Sequence, residues 1–416
     1  MSDRTLRVLL AAQVAPPSPL IGARRVAALA KHLSAEGLEV AVLTSSISGE
    51  GEIVGTTRAI RTFDLMASPL NWRRAQFRAL EGSSGGSYSR PSRLQSVLVP
   101  DIAAATWLPF AIPSLLRLSR RTPFDCVITT GPPHSVHLMG LALQRRGASW
   151  IAEFRDGWTF EQPTRVFPWK LQRRLDAWLE SSIAAKADAV VGVTEPIAED
   201  LRTRFGRPAT VLTNGFDPDE LTSERHVDIL DPKRFSIVHT GRLAYSGRSP
   251  KPLFDALRLL RRERPEVVTQ VELVFAGPLT SEEQALFDAE DLRGLVRAVG
   301  TLDWREALAL QRAADGLLVI TDGMTRPATG KLFEYLAADA PILVLGEQTE
   351  AARIVGETAA GFAASATDPP LIATALELLV SSSVRGRDQS AVEAYSYPNI
   401  ARSYARLIRD VVGARS

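Results

Sequence analysis

Short apolar strands alternate with helical segments along the whole chain, and this alternation is the feature that most constrains the fold. Residues 7–11 form the first predicted strand, residues 24–35 a helix and residues 40–44 the second strand. Further strands are predicted at residues 126–129, 150–154, 189–193, 210–213, 271–276, 295–299, 316–320 and 342–345, with another beginning at Phe235. Such alternation is typical of parallel α/β proteins. The sequence therefore predicts an α/β fold with a Rossmann-like opening.

The length and one polar stretch predict two domains. A chain of 416 residues exceeds one ordinary hydrophobic core and suggests two domains of about 200 residues each. The polar stretch that follows Asn214 separates the two series of strands. We predict Rossmann-like domains at residues 1–215 and 235–390, a hinge at 216–234 and a C-terminal segment at 391–416 that ends in a helix. Residues 82–92, rich in glycine and serine, are predicted to be a mobile insertion.

Composition excludes several classes of protein. The net charge of +2 predicts no strongly basic face, which argues against nucleic acid as a partner. Cys126 is the only cysteine, so no internal disulfide can form, and with no signal peptide the cytoplasm is the expected location. The apolar run at residues 102–116 is too short to span a bilayer. Because arginines follow it, either peripheral contact with anionic lipid or, more simply, an amphipathic surface helix is expected.

Residues 300–346 have the pattern of a nucleotide diphosphate site. A helix is predicted to start near Lys331, just after Gly330, with Lys331 and Glu334 one turn apart. The helix N-terminus and the lysine favour a bound phosphate, and the carboxylate can accept hydrogen bonds from two ribose hydroxyls. The alternative is a solvated pair of charges on a helix surface. Flanking strands place the motif at the carboxyl edge of a parallel sheet, where such folds bind ligands.

Two histidines follow the strand at residues 126–129. His134 comes directly after a Pro-Pro turn, where a side chain is expected to project into a crevice, and His137 lies three residues further on. Two histidines so spaced could suggest a metal, but no third ligand is nearby and a catalytic metal site needs three protein ligands. We predict no metal, and we expect His137 to pack against the helix.

Polar residues and glycines follow other predicted strands in the N-terminal half. The loop at residues 16–22 ends in Gly22 and lacks the G-x-G-x-x-G pattern, which argues against a nicotinamide or flavin cofactor. Arg25 follows this loop and is a candidate for diphosphate or acceptor contact. Arg155 and Asp156 follow the strand at residues 150–154, where they can bind a polar acceptor or form ion pairs that order the loop.

Several motifs together resemble the GT-B glycosyltransferases, and specifically the retaining family 4-like group. The run KLFEYLA at residues 331–337 matches the family's K-x-x-E-Y-L-A-like helix, and FRDGW at 154–158, NGFD at 214–217 and GRL at 241–243 match other family segments. The resemblance spans nearly the whole chain. One position departs from it, because Arg326 stands where many members have a second glutamate that contacts the donor sugar.

The resemblance implies a fold and a set of site residues. It implies two Rossmann-like domains whose parallel sheets face each other across a cleft, with the acceptor on the N-terminal domain, the nucleotide sugar on the C-terminal domain and the last helix packed back on the N-terminal domain. The implied residues are His134, Arg242 and Lys331 in catalysis, Glu334, Gly330, Gly241, Thr301 and Gly22 in donor binding, and Arg155, Asp156 and Arg25 in acceptor binding.

The resemblance also implies an activity. The expected reaction transfers a hexose-type sugar from a nucleotide-diphosphate sugar to an acceptor hydroxyl, with retention of configuration and with neither metal nor cofactor. Acceptors of this kind are small molecules, glycans or lipid-linked molecules, in carbohydrate or natural-product biosynthesis. The alternatives are a pseudo-glycosyltransferase or nucleotide-sugar epimerase on the same fold, and a non-catalytic nucleotide-binding protein.

Overall fold

The structure is a computed structural model that describes residues 4–18, 20–67, 98–160, 167–222, 228–243, 249–321, 330–381 and 386–415. The predicted insertion at residues 82–92 and the departure at Arg326 lie outside these ranges. The chain forms two compact units. Among the described residues, the first unit contains residues 4–67, 98–214 and 397–415, and the second contains those between 215 and 396.

The first unit is built on a parallel sheet. The strands described are β1 Arg7–Ala11, β2 Glu39–Ser45, β3 Arg58–Thr62, β4 Cys126–Gly131, β5 Ser149–Phe154, β6 Ala189–Gly192 and β7 Ala209–Val211, in the order β3-β2-β1-β4-β5-β6-β7. The helices are α1 Ile21–Ala35, α2 Ala103–Thr106, α3 Leu108–Arg121, α4 His137–Gln144, α5 Lys170–Lys186, α6 Glu195–Phe205 and the last helix of the chain, α15 Tyr397–Gly413.

The second unit is also built on a parallel sheet whose strands are connected by helices. Its described strands are β8 Phe235–Thr240, β9 Val271–Ala276, β10 Val296–Gly300, β11 Gly316–Ile320, β12 Ile342–Leu345 and β13 Gly361–Ala364, all parallel, in the order β10-β9-β8-β11-β12-β13. The helices are α7 Lys251–Glu263, α8 Pro265–Thr269, α9 Ser281–Phe287, α10 Trp304–Ala313, α11 Gly330–Ala338, α12 Glu350–Glu357, α13 Pro369–Ser381 and α14 Gln389–Ala394.

Both sheets are covered on their two faces, which explains their apolar strands. Each unit has two clusters of buried apolar side chains. Burial on both faces requires nearly continuous runs such as RVLLA in β1 and GLLVI in β11. The α/β class with two Rossmann-like sheets is thereby confirmed. In each sheet the strand order reverses beside the first strand, between β1 and β4 and between β8 and β11, and ligands of such folds bind at the carboxyl ends of these strands.

The last helix is part of the first unit, although it follows the second unit in sequence. Tyr397, Ile400, Tyr404 and Ile408 of α15 are buried in the same apolar cluster as Leu29 of α1. Burial of a large apolar side chain contributes about 1.5–3 kcal/mol. The chain thus returns from the second unit to complete the core of the first.

The apolar run at residues 102–116 forms α2 and α3. Trp107, Ala111 and Leu115 point into the core, and the indole nitrogen of Trp107 donates a hydrogen bond to Thr62 at 2.8 Å. This is the arrangement of an amphipathic surface helix. In the part of the chain that the structure describes, no helix is both long and apolar enough to cross a bilayer.

Candidate functional site

The second sheet carries polar side chains at its switch point. His239 and Thr240 end β8, Leu318 lies in the adjacent β11, and α11 provides Lys331 and Glu334. All of these residues belong to one unit. The predicted catalytic Lys331 and donor-binding Glu334 of α11 therefore lie beside the strand at which a Rossmann-like sheet binds its ligand.

Lys331 is held by a buried histidine. His239 is 2% exposed, its Nδ1 lies 2.9 Å from the carbonyl oxygen of Leu318, and its Nε2 lies 3.2 Å from Nζ of Lys331. Because a carbonyl only accepts, Nδ1 must carry the proton, and Nε2 is then the acceptor for the ammonium group. The neutral imidazole thus fixes a full positive charge near the N-terminus of α11, where the helix dipole also attracts an anion.

Gly241 leaves room for the ammonium group of Lys331, because it has no side chain. Its φ of +86° lies in the left-handed region, and a Cβ at this position would lie 3.2 Å from Nζ of Lys331. A side chain here would strain the backbone and crowd the ammonium group. Arg242, the next residue, is exposed at the carboxyl end of β8, beside this charge in sequence.

Glu334 is oriented by a hydrogen-bond chain that starts on the same strand. The amide nitrogen of Gln311 donates to Oγ1 of Thr240 at 2.9 Å and to Oε2 of Glu334 at 3.2 Å. The indole nitrogen of Trp304 lies 3.4 Å from Oε1 of Glu334. The carboxylate therefore receives a donor on each oxygen, which fixes its plane.

Gln311 and Trp304 both lie on α10. This helix begins at Trp304 because Asp303 and Glu306 form a capping box, in which each side chain accepts from the other's backbone N–H. Gln311 lies two turns further on and is 1% exposed. Sequence reasoning missed His239, Gln311 and Trp304. Gln311 could have been found from the sequence, because it is a glutamine on the otherwise apolar buried face of α10.

Tyr335 in the KLFEYLA run has a structural role. Its side chain is fully buried, and its hydroxyl oxygen accepts a hydrogen bond from the backbone N–H of Thr240 at 2.8 Å. Burial raises the pKa of the phenol well above its usual range, so the hydroxyl keeps its proton. Tyr335 thus ties α11 to the end of β8 and sets the position of the two charged residues beside it.

The first sheet also brings predicted residues together at its switch point. Nη2 of Arg155 donates to the carbonyl oxygen of Pro132 at 2.5 Å, and Nε donates to that of Gly131 at 3.3 Å. A Cβ on Gly22 would lie 2.1 Å from Nη1 of Arg155. The glycine is therefore required by the guanidinium packed against it, while its contact with a donor stays a prediction. Asp156, beside Arg155, is exposed.

His134 lies inside the unit and not in an open crevice. It is fully buried, and its ring stacks on Trp158 with centroids 4.6 Å apart and an interplanar angle of 8°. It begins a short 3-10 turn that leads into α4. The structure thus differs from the expectation of a projecting side chain, and its catalytic role stays a prediction.

His137 packs against the sheet and is neutral. Its Nδ1 lies 2.9 Å from Oγ1 of Thr129, and its ring centroid lies 4.8 Å from that of Phe154. Burial lowers the pKa of this histidine to about 3. Within the described ranges, no group of three or more His, Cys, Asp or Glu side chains is arranged to hold a metal ion.

The side chain of Arg25 forms its contacts within the protein, and its predicted contact with a diphosphate or an acceptor stays a prediction. Arg25 is 2% exposed and forms a bidentate ion pair with Glu153, with Nη2 2.7 Å from Oε2. Its two terminal nitrogens also donate to the carbonyl oxygens of Leu212 and Thr213. A guanidinium with these partners is a structural group that joins α1, β5 and the segment that follows β7.

The remaining predicted residues lie at element ends in the second unit. Gly330 is the first residue of α11, and Thr301 is exposed directly after β10. β9 separates β10 from β8 in the sheet. The structure thus brings together Gly241, Lys331 and Glu334 around β8. Thr301 follows β10, which is separated from β8 by one strand.

We expect His134→Ala to separate a structural from a catalytic role. Loss of a ring stacked on Trp158 leaves a cavity, so the melting temperature should fall, while nucleotide affinity should be nearly unchanged because the nucleotide is predicted to bind in the other unit. The measurements are thermal unfolding, calorimetric titration and transfer rate. His32→Ala, another histidine of the first unit, is the control. Wild-type transfer by a folded His134→Ala variant would rule out the catalytic role.

Comparison with protein-family models gives one match. Residues 22–215 match the glycosyl transferase 4-like domain. This range runs from Gly22, at the start of α1, to Gly215, where the chain passes into the second unit. No curated protein sequence matches the chain.

Solved structures resemble the chain over nearly its whole length. Sucrose-phosphate synthase from Thermosynechococcus elongatus has a TM-score of 0.66 at 17% identity, covering 99% of this chain and 100% of its own. Anabaena HepE, solved with UDP and glucose, has a TM-score of 0.61 at 11% identity, covering 97% and 100%. A putative UDP-N-acetylglucosamine 2-epimerase from Listeria monocytogenes has a TM-score of 0.57 at 15% identity, covering 98% and 96%. At these identities the likeness shows the fold.

Proposed function

We propose that this chain, a glycosyltransferase of the GT-B fold, binds a nucleoside-diphosphate sugar on its second sheet and transfers the sugar to an acceptor hydroxyl, with retention and without a metal. The family match over residues 22–215 and the two Rossmann-like sheets are the premise. The observation that carries the proposal is the pair Lys331 and Glu334, each held by a side chain that is itself buried at the switch point.

The pair matches the chemistry of a nucleoside diphosphate. Lys331 offers a positive charge to the diphosphate, and Arg242 at the end of β8 offers a second. Glu334 offers a carboxylate to the two hydroxyls of the ribose. Fixed orientation matters here, because a side chain that is already positioned loses little conformational entropy when the ligand binds.

The same charges serve the transfer step. The bond between the sugar's anomeric carbon and the diphosphate oxygen breaks, and negative charge accumulates on the leaving diphosphate. Lys331 and Arg242 stabilise that charge. The acceptor oxygen forms the new bond on the same face of the sugar, and its proton passes to the leaving phosphate oxygen. Two cationic side chains on the diphosphate supply the charge neutralisation that would otherwise require a divalent cation.

The acceptor is proposed to bind the first unit. Arg155 and the exposed Asp156 lie at the carboxyl end of β5, beside the loop that carries His134. A carboxylate and a guanidinium can each hold sugar hydroxyls. Because HepE was solved with UDP and glucose, a uridine nucleotide is the first donor to test.

A panel of nucleoside diphosphates tests the proposal. The full chain is titrated with UDP, GDP, ADP and dTDP by thermal shift, since a ligand that binds only the folded state raises its stability. Nucleotide sugars with the preferred base are then incubated with and without candidate acceptors. Release of nucleotide only with an acceptor supports transfer. Conversion of the sugar without an acceptor supports an epimerase, and binding without turnover of any kind supports a nucleotide-binding protein.

We expect Glu334→Gln to weaken nucleotide binding. The amide cannot accept from two ribose hydroxyls and from Gln311 as the carboxylate does, and the lost hydrogen bonds correspond to about 1–3 kcal/mol, or about 5- to 150-fold in affinity. Calorimetric titration with the preferred nucleoside diphosphate measures this change. The melting temperature of the ligand-free protein should move little, since Glu334 is only partly buried.

Glu290→Gln is the matched control for this change. Glu290 lies in the same unit, its side chain is 78% exposed, and its partner is the equally exposed Arg293. Its loss should leave nucleotide affinity unchanged. Wild-type affinity in Glu334→Gln would contradict the assignment of Glu334 to the ribose.

A further inference from the structure

Helix α5 in the first unit has polar side chains on the face that packs inward. Gln172, Asp176 and Glu180 are spaced four residues apart and are 8%, 4% and 1% exposed. A surface helix normally turns its apolar side chains to the core and its polar ones to solvent. In the first three turns of α5 this arrangement is reversed, while Ile183 and Ala184 near its end are buried as usual.

The inward polar face is fixed by specific partners. The indole nitrogen of Trp158 donates to Asp176 at 2.9 Å, and Nη2 of Arg204 donates to Glu180 at 2.8 Å. The hydroxyl of Thr159 also donates to Glu180. Because these buried carboxylates are satisfied only in this orientation, the helix cannot rotate to bury its other face.

The outward face of α5 is apolar. Leu171, Leu175 and Trp178, at positions i, i+4 and i+7, lie on one side of the helix and are 75%, 43% and 60% exposed. Trp169, just before the helix, is 59% exposed. Single exposed apolar residues are ordinary, but a contiguous stripe of large ones marks a surface that binds something.

The exposed charges that α5 itself carries are all of one sign. The exposed charged residues of α5 are basic, namely Lys170, Arg173, Arg174 and Lys186, while both of its acidic residues are buried. At 100° per residue, Lys170 and Arg174 flank the stripe on one side. The outward face thus combines tryptophan and leucine with two cations along one side, Lys170 and Arg174.

We infer that this face, defined by Trp169, Leu171, Leu175 and Trp178 with its flanking cations, binds an anionic lipid surface. Tryptophan and leucine insert at the level of the headgroups, and lysine and arginine are attracted to anionic lipid. A second copy of the chain fits less well, because a two-fold contact through this face would bring the flanking cations of the two copies together. This inference is independent of the proposed reaction.

Vesicle flotation of the full chain tests the inference. The protein is mixed with vesicles of phosphatidylcholine alone or of phosphatidylcholine with phosphatidylglycerol. Binding should be strong on the mixed vesicles and weak on the neutral ones, and it should fall with added salt. Sedimentation velocity without vesicles reports whether the chain associates with itself.

Three variants locate the binding surface. Leu171→Gln/Leu175→Gln/Trp178→Gln should lower binding to the mixed vesicles at least about 10-fold, since each side chain loses its apolar insertion. Lys170→Gln/Arg174→Gln should lower it by about 5-fold for each charge removed. The control is Leu371→Gln/Leu378→Gln, which changes two half-exposed leucines of α13 in the second unit. It should bind as the wild type does.

The outcomes are distinct. Loss of binding in the first two variants, with unchanged melting temperatures and a normal control, supports the inference. Absence of wild-type binding to the mixed vesicles overturns it, as does binding that the α5 variants leave unchanged. Self-association of the wild type that is lost in the apolar variant, without vesicle binding, would assign the face to contact between copies and would also overturn it.

Discussion

Replacing Lys331 with alanine is expected to lower kcat about 100-fold or more at saturating donor, with a smaller loss of donor affinity. The ground-state nucleotide sugar already carries charge on its diphosphate, but more charge develops there as the sugar leaves, so the ammonium group stabilises the transition state more than the bound donor. Arg242→Ala is expected to act in the same direction. Steady-state kinetics at saturating donor, together with calorimetric titration of the nucleoside diphosphate, separates the two effects.

The controls for this prediction are exposed cations of the same unit. Lys233→Ala and Arg293→Ala remove positive charge from the surface, and both should keep the wild-type kcat. Comparable losses in these controls would indicate a general effect of net charge. If Lys331→Ala and Arg242→Ala both turned over donor at the wild-type rate, the two residues would not stabilise the leaving group.

The strands of the two sheets were predictable where both faces are buried. The bounds predicted for β1, β9, β11 and β12 match the structure, because burial on two faces demands an unbroken apolar run. β3 and β13 were not predicted. β3 reads RAIRT and is largely exposed, β13 is the short run GFAA, and both lie at sheet edges. An edge strand needs less apolar character, so its sequence resembles a loop.

The candidate site was predictable only where its residues share one local motif. Lys331 and Glu334 are one turn apart on a helix, so a pattern in sequence places them together. Their supports are distant in sequence. His239 lies 92 residues from Lys331, and Gln311 lies 23 residues from Glu334. A contact of this kind depends on the strand order, which periodicity alone does not specify.

Arg25 also has a distant partner that the local sequence does not reveal. Its position after a strand and a glycine loop is typical of a ligand-binding arginine, and no local feature of the sequence indicates that it is buried. The carboxylate that pairs with it lies 128 residues away on β5. Only the packing of α1 against the sheet reveals that its charge is neutralised within the protein.

Replacing Glu153 with glutamine is expected to destabilise the first unit by about 3–5 kcal/mol, because it leaves the guanidinium of Arg25 buried without a counter-charge. Glu153 is fully buried, pairs with Arg25 through both oxygens, and accepts hydrogen bonds from the hydroxyls of Thr130 and Tyr404. Tyr404 lies on α15, so the same carboxylate joins the last helix to the sheet. Chemical unfolding followed by fluorescence measures the change.

The stability of the wild type should depend on pH through the ion pair between Glu153 and Arg25. Burial alone would raise the pKa of Glu153, but Arg25 and the two hydroxyls more than offset this, so the pKa in the folded state lies below its ordinary value of 4.5. The stability that this carboxylate contributes is therefore fully present above about pH 4.5 and is lost as the pH falls through the lower folded value. Glu153→Gln should lack this acid-dependent component.

Two further variants show whether the loss of stability in Glu153→Gln arises from the unpaired charge of Arg25. Removing both partners in Arg25→Met/Glu153→Gln should cost less than the sum of the single changes, since no buried charge then remains. Glu39→Gln removes a half-exposed carboxylate that pairs with Arg7 in the same unit, and it should cost no more than about 1 kcal/mol. If Glu153→Gln cost no more than Glu39→Gln, the ion pair would not support the first unit. The predicted contact of Arg25 with a substrate would then be the stronger explanation for this arginine.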